Sequence, residues 1–117
     1  MRVKTEIFVT ALTRRVFALG GFAAVEHKGA EGSGAVFVRQ RFRDGFETLY
    51  APAPQSFFEE DTSGRLFERR LDRAMPEEVA GVLARELKFD PDLWVVEVEL
   101  DDIGDLLPMA AEEGDER

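Results

Sequence analysis

"GAVFVRQRFRDGFETLYAPAPQ", residues 34–55, holds two runs of β-forming residues around an Asp44-Gly45 turn and ends in a Pro-x-Pro segment. Aspartate tolerates the bridge region of backbone conformation and glycine the left-handed region, so this dipeptide is typical of tight turns. Val, Phe, Thr and Tyr in the flanking runs favour extended strands. The stretch therefore predicts a β-hairpin, and the rest of the fold is arranged around it.

The register of this hairpin follows from the cross-strand pairs that each loop length produces. A three-residue loop over residues 43–45 matches apolar with apolar side chains and base with acid. Its pairs are Phe42 with Phe46, Arg41 with Glu47, and Val38 with Tyr50. A two-residue loop instead sets Phe42 opposite Glu47. Because cross-strand pairs stabilise a sheet when their chemistry matches, the sequence predicts the three-residue loop.

The residues before the hairpin indicate a helix and then a strand. Apolar residues recur at helical spacing over residues 5–19, Thr5 is of a type that caps helices, and Gly20-Gly21 ends the pattern. An early strand is the competing interpretation, because residues 3–9 also alternate. We favour the helix, followed by a strand over residues 22–28.

A short turn and a strand are indicated after the hairpin. Ser56 opens a capping-box pattern, which predicts one helical turn. Residues 66–71 alternate as in a strand, with Phe67, Arg69 and Leu71 on one side.

The clearest helix begins near Pro76, since proline suits the first helical turn. Its predicted buried stripe consists of Val79, Val82, Leu83 and Leu87. Phe89-Asp90-Pro91-Asp92 ends the helix, and residues 93–100 predict the last strand.

The predicted order is α-β-β-β-β-α-β, an α+β fold (α/β layered) with a mixed, mostly antiparallel sheet of about five strands. Three strands begin with apolar residues on both sides, at residues 22–25, 35–38 and 93–96. Strands of this kind are usually covered on both faces of the sheet. We therefore favour one helix on each face; the alternative places both helices on one face.

The charge of the chain is concentrated at its end. The net charge is −9, and residues 101–117 hold seven of the 24 acidic residues but one of the 15 basic ones. We therefore predict a single globular domain over residues 1–100 and an acidic, partly disordered tail over residues 101–117. The nearly balanced domain lacks the basic surface of a nucleic-acid binder.

The chain contains no cysteine, which excludes disulfides, thiolate nucleophiles and zinc–thiolate sites. No apolar run approaches the roughly 20 residues of a membrane span, and the first residues lack the apolar centre of a secretory signal. These features predict a cytoplasmic protein that does not bind membranes.

Few residues are suited to catalysis. His27 is the only histidine, and Asp90 and Asp92 flank a proline that holds two carboxylates at a rigid turn. A small carboxylate- or metal-assisted hydrolase would use these three residues. We favour the structural interpretation of these residues, a solvent-exposed strand end and a helix terminator, and therefore predict no catalytic residue, no metal and no cofactor.

Arginine and aromatic residues are better candidates for binding. We predict a binding surface for a protein partner or a small anionic ligand, formed by Arg39, Arg41, Tyr50, Arg69 and Trp94. This prediction requires that the strands around Arg39 and Arg69 be neighbours. The alternatives are that the arginines pair with nearby acids or the acidic tail, that Trp94 lies in the core, and that the Pro-x-Pro segment covers a sheet edge rather than lining a groove.

Several of these segments carry a resemblance to a known family. They are Lys4-Thr5-Glu6-Ile7, Arg14-Arg15, Gly34-Ala35-Val36, the run from Leu49 to Gln55, Phe67-Glu68-Arg69, and the string Phe89-Asp90-Pro91-Asp92-Leu93-Trp94-Val95-Val96-Glu97. Over residues 2–100 the chain resembles the alphaproteobacterial domain-of-unknown-function family numbered 1491. The resemblance implies a small, single-domain bacterial protein, and brings no known activity, cofactor or catalytic residue.

The sequence thus favours a non-catalytic binding or protein-interaction module of a bacterial cytoplasm over an enzyme. A homodimeric structural protein is a further alternative, in which two copies pair through the exposed edge of the strand at residues 66–71.

Overall fold

The computed structural model describes residues 3–54 and 65–110. The helices are α1 (Thr5–Ala18) and α2 (Pro76–Phe89), and the strands are β1 (Phe22–His27), β2 (Val36–Arg41), β3 (Glu47–Pro52), β4 (Phe67–Ala74) and β5 (Trp94–Glu99). The predicted α+β order is confirmed. The helical turn predicted from Ser56 lies outside the described residues. No helix in the described ranges is long and apolar enough to cross a bilayer.

The strands form one mixed sheet in the order β1-β5-β2-β3-β4. Strand β5 enters between β1 and β2, antiparallel to β1 and parallel to β2, while β2, β3 and β4 form an antiparallel meander. The sheet therefore has one parallel pair, β2 and β5, whose carboxyl ends lie at the same edge of the sheet.

The β2–β3 hairpin has the predicted register. Val38 pairs with Tyr50 and Arg41 with Glu47. The Phe42 amide donates to the Phe46 carbonyl at 3.0 Å, which closes the three-residue loop. Gly45 has a φ of +97°, in the region that favours glycine.

We expect Gly45→Ala to lower the free energy of unfolding by about 1–2 kcal/mol, because a Cβ makes the left-handed backbone costly. No described atom would lie within 4 Å of that Cβ, so the loss of stability would come from the backbone conformation alone. Gly32→Ala is the matched control, since its added Cβ also meets open space and its φ is not positive. Urea unfolding of both variants tests this; equal losses would contradict it.

Each helix covers a different face of the sheet, as favoured from the apolar runs. Helix α1 packs against alternate residues of β1, β2 and β5, and the resulting core includes Val9, Leu12, Val16, Val36, Val38 and Val96. Helix α2 packs on the opposite face, where the core includes Phe37, Leu49, Val79, Val82, Leu83 and Val95. The predicted stripe of α2 is confirmed, with Leu87 partly buried at its end.

The start of α1 differs from the prediction that Thr5 caps the helix. Lys4 is the N-cap, and Thr5 is buried within the first turn. The Thr5 hydroxyl donates to the Gly34 carbonyl at 2.8 Å and accepts from Arg65 Nη2 at 2.5 Å. A tertiary contact between distant segments therefore takes the hydroxyl that a local cap would use.

Strand β4 differs from the predicted alternation because it contains bulges. Tyr50 pairs with Arg69 but Leu49 pairs with Leu71, so Arg70 is an extra residue. An extra residue reverses the alternation beyond it. Phe67 consequently packs in the α1-side core, whereas Leu71 packs on the α2 side.

Strand β4 lies at an edge of the sheet, as the homodimer alternative requires. The beginning of that edge is covered within the chain: the Phe67 amide donates to the Pro108 carbonyl at 2.8 Å, and the Ala110 amide donates to the Phe67 carbonyl at 2.9 Å. A homodimer through this strand stays a prediction, restricted to the part of β4 beyond Phe67.

The globular part of the chain extends past residue 100. Leu106 and Leu107 are buried in the α1-side core, and Met109 forms a parallel bridge with Phe67. The boundary predicted at residue 100 is therefore too early, because two leucines in an acidic segment provide enough apolar surface to hold it on the sheet. Residues 111–117 of the predicted tail lie outside the described residues.

Candidate binding cleft

An open cleft of about 1030 Å³ lies at the carboxyl ends of β2 and β5. Its walls include Pro76 at the start of α2, Leu19 and Gly20 after α1, and residues 100–102 after β5. In open α/β sheets, ligands bind in crevices outside the carboxyl ends of parallel strands. The cleft is therefore the place in the described chain where this topology favours a ligand.

The floor of the cleft is charged because α2 covers only part of its face of the sheet. Helix α2 packs over β3 and β4. The alternation that buries Phe37 and Val95 under α2 places the later charged residues of β2 and β5 on the same face, past the covered area. We call six residues the charged cluster: Glu26, Arg39, Arg41, Glu47, Glu97 and Glu99.

Arg39 and Glu47 form the most buried pair of the charged cluster. Their side chains are 13% and 5% exposed, and Arg39 Nε donates to Glu47 Oε1 at 2.6 Å. Glu26 Oε1 lies 3.4 Å from Arg39 Nη1. Burial opposes the charged form of Arg39, but the hydrogen bond and the negative charge of Glu47, helped by Glu26, raise the Arg39 pKa. This guanidinium is permanently charged and is held by two carboxylates.

Arg41 is held less firmly than Arg39. Its guanidinium lies 3.3 Å from Glu97, 3.4 Å from Glu47 and 3.7 Å from Glu26, and its side chain is 39% exposed. The Nε atom is buried and has no hydrogen-bond partner among the residues that the structure describes, because its approach to Glu47 is long and poorly directed. Charge attraction, rather than hydrogen bonding, positions Arg41.

Glu97 and Glu99 are two residues apart on one face of β5, so their carboxyl groups point the same way. The Glu97 side chain is 15% exposed. Burial raises the pKa of Glu97, a hydrogen bond with the Glu99 carboxyl raises it further, and the positive charge of Arg41 only partly offsets these effects.

The cleft has an excess of negative charge. Four carboxylates (Glu47, Glu99, Asp101 and Asp102) and three guanidiniums (Arg39, Arg41 and Arg43) line the cleft, and Glu26 and Glu97 contact Arg39 and Arg41 from outside this lining. Arg43 is the remaining base of the lining; its amide donates to Asp101 Oδ1 at 3.0 Å, and its guanidinium forms no ion pair with any described residue. This arrangement attracts cationic groups.

Comparison with known protein families matches residues 3–108 to the family described as Protein of unknown function (DUF1491). The chain belongs to this family. Among solved structures, the DUF1491 chain is similar to the solution structure of a protein from A. tumefaciens. The two chains share 61% identity, the match covers 96% of this chain and 98% of that chain, and the TM-score is 0.85.

A second similar structure is the crystal structure of a DUF1491 family protein from Caulobacter crescentus CB15. It shares 31% identity, covers 96% of this chain and 100% of that chain, and has a TM-score of 0.77. No curated protein matches the chain. The predicted family resemblance is confirmed, and the matched range includes most of the segment 101–110 that packs on the sheet.

The five residues predicted to form one binding surface in this DUF1491 protein lie on two opposite faces of the sheet. Arg39 and Arg41 lie in the cleft on the α2 side. Tyr50 and Trp94 are buried in the α1-side core, and the Arg69 guanidinium lies over the Tyr50 ring, 5.9 Å from its centroid. Because β3 separates β2 from β4, the predicted joint surface does not form.

Trp94 and Tyr50 have structural partners. Trp94 is 3% exposed and its Nε1 donates to the Ala30 carbonyl at 2.8 Å. The Tyr50 hydroxyl donates to Gln40 Oε1 at 3.0 Å, and burial raises the Tyr50 pKa, with a smaller opposing effect of Arg69. Strand β3 is interior, so the Pro-x-Pro segment that follows it does not cover a sheet edge.

The alternative site lies at the other end of β5 from the cleft. His27 Nδ1 is 2.8 Å from the Leu93 carbonyl, so the structure does bring His27 beside the Asp90–Asp92 turn. Asp90 and Asp92 are exposed, and Asp90 Oδ1 accepts from the Asp92 amide at 3.1 Å, as in a local turn. Within the described ranges, no group of three or more His, Cys, Asp or Glu residues is arranged to hold a metal.

Sequence reasoning missed the carboxylates of the charged cluster. Glu97 and Glu99 alternate with buried valines, which indicated one charged face on the end of β5. Glu26 is separated from β2 by β5 in the sheet, yet its side chain reaches both Arg39 and Arg41. No local pattern could place Glu26 there, because the order of the strands is a tertiary property.

Proposed function

We propose that this DUF1491 protein is a non-catalytic binding module whose cleft binds a basic segment of a protein partner. The observation that carries the proposal is the surplus of carboxylates, six against three guanidiniums, in and beside the cleft at the carboxyl ends of β2 and β5. Fields of one sign in a concave site attract groups of the opposite sign and exclude those of the same sign.

Two of the three arginines that line the cleft are held by carboxylates, which argues for a cationic rather than an anionic ligand. Arg39 is hydrogen-bonded to Glu47, and Arg41 lies among three carboxylates. An anion would have to displace these carboxylates from a partly buried site. A lysine or arginine of a partner would instead meet Glu99, Asp101 and Asp102 at the rim.

Apolar surface in the cleft suits the long stems of basic side chains. Leu19, Phe42 and Leu100 line the cleft, and Leu19 is 58% exposed. Lysine and arginine pack their methylene chains on apolar surface while their charged ends reach acidic groups. A basic peptide would therefore gain both contacts here.

The location that we propose is the bacterial cytoplasm. The complete lack of cysteine fits a reducing compartment, since small exported domains often depend on disulfides.

A peptide titration followed by NMR tests the proposed function. We expect a hexalysine peptide to shift the amide signals of residues 41–43 and 99–102, and a hexaglutamate peptide to leave them unchanged. Asp101→Asn together with Asp102→Asn should weaken hexalysine binding about threefold to tenfold, because each exposed ion pair contributes up to about 1 kcal/mol. Asparagine keeps the oxygen that accepts the Arg43 and Gly104 amides.

The matched control is Asp90→Asn together with Asp92→Asn. This pair also removes two exposed carboxylates from a turn closed by an aspartate side chain, but at the opposite end of β5. Hexalysine binding should be unchanged in this variant. If both double variants lose the same hexalysine affinity, the peptide responds only to the net charge of the protein. That result would contradict the cleft as the binding site.

A further inference from the structure

Phe89, the last residue of α2, is the most exposed large apolar side chain of the described chain, with 91% of its surface in contact with solvent. Lys88 before it and Asp90, Pro91 and Asp92 after it are also exposed. We call residues 88–92 the Phe89 tip. Single exposed apolar residues are common on protein surfaces, so Phe89 gains meaning only if a matching surface exists.

A matching surface lies on the outer face of α1, which carries a shallow, open groove of about 540 Å³. Six exposed residues line this α1 groove: Glu6, Ile7, Thr10, Ala11, Arg14 and Arg15. Ile7 and Ala11 are four positions apart, so they share one side of the helix and form the apolar centre. Ile7 is 56% exposed. The groove is large enough to hold one phenyl ring.

The charges around the groove are complementary to those of the Phe89 tip. Along α1, the acid Glu6 comes before the apolar centre and the base Arg14 comes after it. Along the tip, the base Lys88 comes before Phe89 and two aspartates come after it. When the two segments lie side by side in the same direction, each charged group of the tip meets one of opposite sign. Such complementarity selects a partner and fixes its register.

The groups that would meet are not engaged elsewhere in the described part of the chain. The side chains of Arg14, Lys88 and Asp92 form no ion pair or hydrogen bond with any described residue. Arg15 has one exposed contact with Asp105, at 3.6 Å, and exposed pairs of this kind contribute little. Contact between the two surfaces therefore breaks no strong interaction.

One copy of the chain cannot join its own tip and groove, because α2 and α1 cover opposite faces of the sheet. We propose that Phe89 of one copy sits in the α1 groove of a second copy, so that the protein associates with itself. The contact joins two different surfaces and is therefore heterologous; it either closes as a pair or continues to further copies. This inference does not rest on the proposed function, since the cleft lies at the other end of β5 from the Phe89 tip.

Sedimentation equilibrium of the full chain tests the association. The contact is smaller than the roughly 1,200 Å² of stable interfaces, so we expect a dissociation constant of about 0.1 to 1 mM. About 0.15 M salt is needed, because the net charge of −9 otherwise keeps the copies apart. The average mass should rise with concentration up to about 1 mM. A monomer mass at every concentration would overturn the proposal.

NMR over the same concentrations locates the contact. The amide signals of residues 6–15 and 88–92 should shift together as the concentration rises. Shifts confined to other residues, such as the edge of β4, would assign the association to another surface and overturn the proposal.

Phe89→Ala should weaken the association about tenfold to a hundredfold, as expected when the burial of a phenylalanine side chain is lost. Met75→Ala is the matched control, since Met75 is 53% exposed at the other end of the same helix. It should leave the association unchanged. If both variants weaken it equally, Phe89 is not the anchor.

A mixing experiment separates the proposed contact from any general effect of the substitutions. Ile7→Asp places a charge in the centre of the α1 groove and should prevent self-association, as Phe89→Ala does. An equal mixture of the two variants should nevertheless form a heterodimer, because the Phe89→Ala chain keeps its groove and the Ile7→Asp chain keeps its tip. A mixture that associates no more than the separate variants would overturn the proposal.

Discussion

Trp94→Ala should lower the free energy of unfolding by about 3–5 kcal/mol, the usual cost of truncating a fully buried aromatic residue. Trp94 is 3% exposed and packs in the α1-side core with Val36 and Val96. The substitution also removes the indole donor from the Ala30 carbonyl of the β1–β2 loop, which keeps only the longer hydrogen bond from the Gly34 amide, 3.3 Å. Urea unfolding followed by circular dichroism measures the loss.

Trp94→Phe separates packing from hydrogen bonding. It keeps most of the ring volume and removes the indole N–H, so its cost should be clearly smaller than that of Trp94→Ala. Because Trp94 is the single tryptophan, both variants lose tryptophan fluorescence and are compared by circular dichroism. A loss below about 1 kcal/mol in Trp94→Ala would contradict the core assignment and restore Trp94 as a surface anchor.

Glu47→Leu should cost about 3 kcal/mol, because removing one partner of a buried ion pair leaves the other charge uncompensated. Glu47 is 5% exposed and accepts from Arg39 at 2.6 Å. The cost lies at the lower end of the range for such pairs because Glu26 remains 3.4 Å from Arg39. Urea unfolding at neutral pH gives the value.

Arg39→Met combined with Glu47→Leu is the decisive control. Replacing both members of a buried pair by apolar residues of similar size is often neutral or stabilising. The double variant should therefore recover most of the stability lost in Glu47→Leu. If both variants are equally unstable, Glu47 acts through Arg41 or through packing, and the Arg39–Glu47 pair is not the dominant contact.

Local patterns predicted the elements because local interactions determine them. The Asp44-Gly45 turn and its matched cross-strand pairs gave the hairpin register, and Pro76 with the apolar stripe gave α2. The patterns failed where a distant segment intervened. Thr5 looks like a cap but bonds to Gly34 and Arg65, and the bulge at Arg70 moves Leu71 to the other face.

The five residues predicted to share one surface lie on two faces of the sheet, and the hairpin register already contained the reason. Val38 pairs with Tyr50, so Arg39 and Arg41, which alternate with Val38, must lie on the face opposite Tyr50. The two arginines were correctly selected as one face of a strand, and their pairing with Glu47 was foreseen as an alternative. Their meeting with Glu26 and Glu97 depends on the position of β5.

By itself the sequence determined the element order, the hairpin and the family, since these depend on turn chemistry, periodicity and short motifs. Only the tertiary structure decided that β5 lies between β1 and β2, that Leu106 and Leu107 belong to the core, and that the charged cluster forms where α2 leaves the sheet uncovered. The physical reason is that strand insertion and segment docking are selected by the total apolar surface buried in the whole chain. No short stretch of residues determines that total buried surface.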